Sequence, residues 1–265
     1  MNEQEKPSLD PELEMKRMSR RSFMWAGAAI AGGFAGIKWI ASRRAEDGLA
    51  YPLRRALEFT EQVNRDLYSP ARLSPTFPRS MAREPRPNGL EGLGEEFDLG
   101  SWQLSLAGVF GKAEPIQLSL EEIKKLPRTE MITELKCIEG WSQVVQWAGV
   151  RFADLIALHP PFTLSGEAPN IKEKPTDLAN YVGMSTPDGG YYVGLDMESA
   201  LHPQTLLCYE MNGEPLTLEH GAPLRLVIPV KYGIKNIKRI GTIQYVSRRP
   251  TDYWAERGYD WYAGL

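Results

Sequence analysis

EHGAPLRLVIPVKYGIKNIKRIGTIQYVSRRP, from Glu219 to Pro250, contains the costliest side chain in the sequence. Leu224, Leu226, Val227 and Ile228 make an apolar strand, and Arg225 sits inside it. A guanidinium on such a strand is expensive to bury unless an anion pairs with it. A turn at Tyr232-Gly233 follows, within a group of cations: Lys231, Lys235, Lys238 and Arg239. Backbone N–H groups and lysines placed after such a strand form a natural phosphate cradle. A solvated basic hairpin is the plainer alternative. The cations are too few and too specifically arranged for a nucleic-acid face.

Upstream, ELKCIEGWSQVVQWAGVRFADLIAL (Glu134–Leu158) holds the second informative position. TEMITELKC has period 2, which puts Met131, Thr133, Leu135 and Cys137 on one face and Cys137 at a strand end. Glu139, Gly140 and Trp141 follow it. A thiolate nucleophile would need a histidine or a helix N-terminus nearby, and none can be placed there from sequence. A thiolate metal ligand needs only the metal to depress its pKa. Cys208, in LLCYEM, reads instead as a small buried hydrophobe.

The rest of the chain describes an α+β domain of mixed β-sheets with short helices. Its 265 residues are 42% hydrophobic and 25% charged, which is ordinary for a globular protein. The formal net charge of −3 gives no overall attraction to nucleic acid. Two cysteines make no disulfide framework. No CxxC, HExxH or paired Cys/His spacing points to a protein-only zinc site. Strands are expected at SWQLSLAGVF, NYVGMST, GYYVGL, LLCYEMNG, LRLVIPV and IGTIQYV, and short helices at FADLIAL and LDMESALHP. Ser119 and Glu122 form a capping box that opens another short helix. The glycines of NGLEGLGEEFDLG read as loop rather than as a dinucleotide fingerprint.

The N-terminus reads differently. MKRMSRRSFMWAGAAIAGGFAGIKWIASRR has a basic flank, the Arg20-Arg21 pair with Phe23, and a small-residue apolar segment. That layout resembles a twin-arginine export signal over residues 1–50. Gly48-Leu49-Ala50 is the best candidate for cleavage, and an uncleaved signal would anchor the chain in a membrane. Residues 51–100, polar and proline-rich, are expected to be an extended arm, and 101–265 the main domain.

With these motifs in order, KCIEGWSQVVQWAGVRFADLI and LDMESALHPQTLLCYEMNGEPLTLEHGAPLRLVIPVKYGIKNIKRI resemble the molybdopterin-binding domain of the sulfite oxidase superfamily. The resemblance runs from about Trp102 to Trp254. It is closest to the catalytic subunits of periplasmic protein-methionine-sulfoxide reductases. It implies a sulfite-oxidase-type fold, a monomer, and the molybdenum cofactor, molybdopterin. It makes Cys137 the protein ligand to molybdenum. Thr186, with Ser185 beside it, His220, Arg225, Asn236, Ile237 and Lys238 fall on its cofactor-binding positions, and the arm would add Asn64 and Tyr68. By position Glu139 is a catalytic-site carboxylate, either just behind the metal ligand or on the substrate side, or else an ordinary surface carboxylate. Where the reductases have asparagine this chain has His220, as in the sulfite oxidase branch.

The implied chemistry is two-electron oxygen-atom transfer, with reduction of sulfoxides such as oxidised methionine as the leading activity. Electrons would come from a membrane redox partner, haem- or quinone-linked. The competing enzyme reading is oxidation of a small oxyanion such as sulfite, with electrons passed to a cytochrome. A cofactor-free scaffold is the reading of a different class. Replacing Arg20 and Arg21 together by lysine should strand folded protein in the cytoplasm, and cell fractionation reads the outcome. Unchanged export of the double variant would mean another route.

Overall fold

The computed structural model describes residues 11–46, 48–69, 71–89, 91–94 and 97–265, with side chains described from residue 21 onward. Two compact units are present, Met1–Ala56 and Leu57–Leu265. In the first, helix α1 runs Pro11–Ala41 and is followed by the hairpin β1 (Ala45–Glu46) and β2 (Leu49–Ala50). From Arg21 to Ala41 this helix is long and apolar enough to cross a membrane, by length and composition alone. Phe23, Trp25 and Phe34 stand exposed along it. Of the Arg20-Arg21 pair, the Arg20 side chain lies outside the described residues.

The expected extended arm is corrected at its start. Tyr51–Leu67 is a 17-residue helix, α2. Its only proline, Pro52, sits in the first turn, where the missing N–H costs nothing, and good helix formers follow. Irregular chain begins only after Leu67, where the prolines accumulate.

The second unit holds two five-stranded sheets. Its remaining elements are β3 (Leu104–Ala107), β4 (Ile116–Leu118), α3 (Leu120–Ile123), β5 (Arg128–Lys136), β6 (Ser142–Arg151) and α4 (Phe152–Leu158). Then come β7 (Tyr181–Ser185), β8 (Tyr192–Asp196), α5 (Met197–Leu201), β9 (Leu206–Met211), β10 (Glu214–Pro215), β11 (Arg225–Val227) and β12 (Thr242–Val246). One sheet runs β10-β9-β6-β5, with β11 also pairing β9; the other runs β4-β3-β12-β7-β8. Among the described strands, only β12 against β3 is parallel. The capping box is present: Ser119 accepts from the Glu122 backbone while Glu122 reaches back.

β6 has no assignment from periodicity, yet it joins the first sheet together. One of its faces meets the core shared with the second sheet through Val150, beside Leu104, Phe152, Leu207 and Ile243. The other packs Val145 and Trp147 with Met131, Leu206, Cys208 and Val227. A strand buried on both faces does not alternate, so its period-2 signal is lost.

Two lysines of the cation group read as a phosphate cradle are interior. Lys235 is fully buried, with its Nζ 2.5 Å from Asp252 Oδ2 and 2.9 Å from the Gly194 carbonyl. Lys231 lies over the Tyr262 ring, 3.8 Å from Asp196, and its Nζ donates no hydrogen bond among the described residues. Burial pushes its pKa down to about 7. In the unfolded chain a lysine keeps its proton to about pH 10.4, so between those values the unfolded state binds the extra proton. Stability should therefore rise with pH from about 7 to 10, by at most ~1.4 kcal/mol per unit from this group. Lys231→Met should flatten that rise in urea titrations at pH 7 and pH 9, and identical slopes for variant and parent would contradict the assignment.

Candidate active site

Cys137 follows β5 directly and begins the tight turn into β6. Its N–H donates to the Trp141 carbonyl at 2.9 Å, and its carbonyl accepts from Gly140 N–H at 3.2 Å. Gly140 adopts φ of 85°, where a side chain would be strained. The hairpin thus ends in a half-exposed thiol beside a glycine. Around the Sγ stand Glu139 Oε2 and Asn88 Nδ2, both at 3.7 Å. The Trp141 indole and Asn88 donate to Glu139 Oε2 at 2.9 and 3.1 Å. These bonds, Trp141 first, hold the exposed Glu139 carboxyl below its usual range. Partial burial and the neighbouring carboxylate raise the Cys137 thiol.

The thiol opens into a cavity of about 170 Å³ lined also by His220, Arg225, Asn236 and Lys238. Arg225 is buried on β11, with its guanidinium over the Trp147 ring at 4.6 Å. Its Nη1 donates to the His220 carbonyl at 2.9 Å and its Nη2 to the Asn236 carbonyl at 3.4 Å, while Nε has no partner among the described residues. Burial without an acid lowers its pKa to about 10. Asn236 braces the opposite wall: Oδ1 accepts from Ile228 N–H at 2.8 Å, and Nδ2 donates to the Tyr232 carbonyl. Lys238 Nζ donates to the carbonyls of Asn88 and Gly89 at 2.5 and 3.3 Å. Burial lowers its pKa to about 8. His220 Nε2 lies 3.3 Å from Glu84 Oε1, and burial with the Arg225 charge lowers its pKa, so the ring is neutral at pH 7. Gly221 has φ of 99°, and a Cβ there would come within 2.7 Å of Lys238 Cβ. Only glycine lets the His220 turn lie against Lys238.

Four expected residues are elsewhere. Thr186 does not line the cavity: its hydroxyl donates to Asp188 Oδ1 at 2.6 Å and accepts from Tyr191 N–H, closing the β7–β8 turn. Ile237 is a core residue, and its carbonyl accepts from Leu226 N–H. Asn64 and Tyr68 line a separate cavity of about 400 Å³ beside Arg72, Lys136 and Tyr262. Asn64 is carried there by α2 and Tyr68 follows directly after it; the proline-rich reading of the arm misses that helical course. The arm does bring an asparagine to the thiol, but it is Asn88. The Asn-Gly pair after Arg86-Pro87 was its only signal, and it reads equally well as a turn.

The donor set fits the molybdenum cofactor. A soft thiol suits the metal. A buried guanidinium with an orphaned Nε, and an ammonium held only by carbonyls, call for an anionic group such as a phosphate. A family model described as the oxidoreductase molybdopterin binding domain matches residues 92–254. The chain belongs to that family.

Among relatives, the chain is similar to a protein of Azospira oryzae named as subunit YedZ1 of a protein-methionine-sulfoxide reductase. The two are 34% identical over 210 residues, 78% of this chain and 73% of that one. The protein-methionine-sulfoxide reductase catalytic subunit MsrP of Campylobacter jejuni is 35% identical over 65% of this chain and 59% of its own. MsrP of Ralstonia nicotianae is 36% identical over 62% and 50%. This chain thus spans about half to three quarters of the length of these relatives. The crystal structure of the sulfane dehydrogenase SoxCD from Paracoccus pantotrophus is similar over 58% of this chain and 40% of that one, at 19% identity and a TM-score of 0.47. The expected α+β architecture and molybdopterin as the cofactor both stand.

Charge-assisted hydrogen bonds are worth ~1.5–3 kcal/mol each, and ~1.4 kcal/mol is a factor of ten. Arg225→Ala should therefore lower molybdenum and pterin content per purified chain by at least tenfold. Asn64→Ala, in the other cavity, should leave both unchanged. Full cofactor content in the Arg225→Ala protein would remove Arg225 from the cradle.

Proposed function

We propose that this protein is an exported oxidoreductase that reduces sulfoxides, and that its substrate is methionine sulfoxide in proteins. What carries the reading is the single thiol at a hairpin tip, facing a cavity whose Arg225 and Lys238 form no ion pair among the described residues. The relatives named as protein-methionine-sulfoxide reductases support it. The reaction is R–S(O)–CH3 + 2 e− + 2 H+ → R–S–CH3 + H2O. When bound, the molybdenum cofactor would supply the two electrons and take up the sulfoxide oxygen.

In this reading Cys137 is the protein ligand to the metal and takes no part as a nucleophile. Arg225 and Lys238 hold the anionic end of the pterin cofactor. Asn236 and the His220 turn fix the walls by backbone contact, and neutral His220 serves as a hydrogen-bond donor. Asn88 orients both the thiol and Glu139. Glu139, exposed and ionised, lies on the side from which substrate enters. Electrons come from a membrane-bound partner, haem- or quinone-linked. Residues 1–50 act as a twin-arginine signal with α1 at its centre, 51–100 as an arm and 101–265 as the catalytic domain.

Ile138, Trp141, Ile234, Trp254 and Tyr259 also line the cavity. Such an apolar entrance suits a sulfoxide with carbon substituents better than a bare oxyanion such as sulfite. Cofactor-loaded protein should therefore oxidise reduced benzyl viologen with methionine sulfoxide and should not reduce cytochrome c with sulfite. The reverse pattern would make it a sulfite dehydrogenase. Cys137→Ser should keep the fold by circular dichroism and lose turnover, whereas Cys208→Ala should keep both. Equal turnover in Cys137→Ser and the parent would sink the assignment of the thiol.

A further inference from the structure

The cation Lys235 belongs to the loop that lines the cavity, yet its ammonium points away from it into the protein. It meets Asp252, just ahead of the aromatic pair Tyr253-Trp254. Asp252 is itself buried and fully engaged. Oδ2 takes the Lys235 ammonium and the Gly194 N–H at 3.1 Å; Oδ1 accepts from the backbone N–H groups of Trp254 and Ala255 at 3.2 and 3.1 Å. The single turn Ala255–Arg257 follows, and Gly258, with φ of 94°, reverses the chain. Tyr259 N–H then donates to the Trp254 carbonyl at 3.0 Å. The result is a closed turn that sets the Trp254 and Tyr259 rings edge to face, 5.2 Å apart, on the cavity wall. Tyr253 backs Trp254 at 5.3 Å and is backed by Tyr191, whose hydroxyl donates to the Ile234 carbonyl of the cavity loop at 2.5 Å.

We infer that the Trp254–Tyr259 turn is the wall that selects the carbon chain of the substrate, and that the Lys235–Asp252 ion pair sets its position. The inference rests on the sulfoxide reading and specifies which sulfoxides are used well. Tyr259 is 41% exposed, whereas Trp254 is half-buried. One ring therefore faces the cavity interior and the other its rim. The two rings offer an apolar surface to the methylenes of a methionine sulfoxide side chain, whose oxidised sulfur is polar. A methionine sulfoxide side chain can enter along Trp254 while the polypeptide that carries it stays outside, against Tyr259. A sulfoxide with only two methyl groups lacks the chain that would reach the rim. Because Asp252 binds the cavity loop and the aromatic turn at once, loss of its charge moves the wall relative to Lys238 and Asn236. Trp254 touches substrate in this scheme; Lys235 and Asp252 are positioning residues.

The test compares Tyr259→Ala, Trp254→Leu and Asp252→Asn with the parent as cofactor-loaded proteins. Each is assayed with a short peptide carrying methionine sulfoxide and with dimethyl sulfoxide. The expected result is a KM for the peptide that rises at least tenfold more than the KM for dimethyl sulfoxide, with molybdenum content at the parent value. Equal changes for the two substrates, or none, would overturn the wall. Asp252→Asn leaves the buried Lys235 ammonium without its counter-charge and so also tests stability, whereas Tyr259 is on the surface and its variant decides the matter alone. The same peptide is also titrated against the inactive Cys137→Ser chain by tryptophan fluorescence, with and without Tyr259→Ala. Tyr259-dependent binding without turnover in the parent refutes the sulfoxide reductase and keeps the wall. Turnover with no dependence on Tyr259 in either assay does the opposite.

Discussion

The Arg225 guanidinium is the constraint around which this molecule is arranged. It lies in a strand paired to β9, stacks on Trp147 of β6, and reaches two carbonyls in separate loops, those of His220 and Asn236. Those are the loops that form the cavity walls. A buried cation satisfied only by carbonyls leaves a positive potential pointing at the remaining open direction, which is the cavity. The fold therefore carries a standing requirement for an anion, and its pKa of about 10 expresses that requirement in the protein alone. Packing against the indole keeps the guanidinium plane fixed, so an incoming anionic group meets a donor that needs no reordering.

The cations near Arg225 divide into two jobs. Lys238 faces the cavity, while Lys235 and Lys231 face inward to Asp252 and Asp196. Arg239 is spent on the carbonyls of Gly94 and Leu218, with its guanidinium over Phe97. A buried ion pair such as Lys235–Asp252 contributes little net stability, because desolvation of both charges offsets their attraction. Its value is geometric. It fixes the C-terminal aromatic turn to the cavity loop, so that the wall of the site and its cationic floor move as one piece.

The segment Glu84–Gly89 lies over the same residues from the arm side. Glu84 meets His220, Asn88 meets the thiol and Glu139, and two backbone carbonyls take the Lys238 ammonium. Carboxylate and carbonyl oxygens thus rest on positions that an anionic ligand would claim. The modest cavity follows from this cover: drug-sized ligands occupy sites of ~300–1,000 Å³, well above the volume left here.

Local chemistry can be read from the chain's order of residues. Cys137 at a strand end, Arg225 on an apolar strand, the Ser119–Glu122 capping box and most strands were legible because each depends on residues within a few positions of one another. The order of the two motif blocks was enough to point to the family. Tertiary structure decided where side chains separated by long stretches meet. Nothing near Lys235 announces that its partner is Asp252, and nothing near Asn88 announces Cys137; such pairs exist only once the chain is folded. Thr186 and Ile237 read as cofactor contacts by position, yet one closes a turn and the other fills the core. β6 hid because burial on both faces erases alternation, and α2 hid because the prolines after Leu67 masked the helix formers before it. A hydroxyl, an amide or an ammonium can serve a turn, a core or a ligand, and its choice is set by which distant groups the fold leaves unpaired.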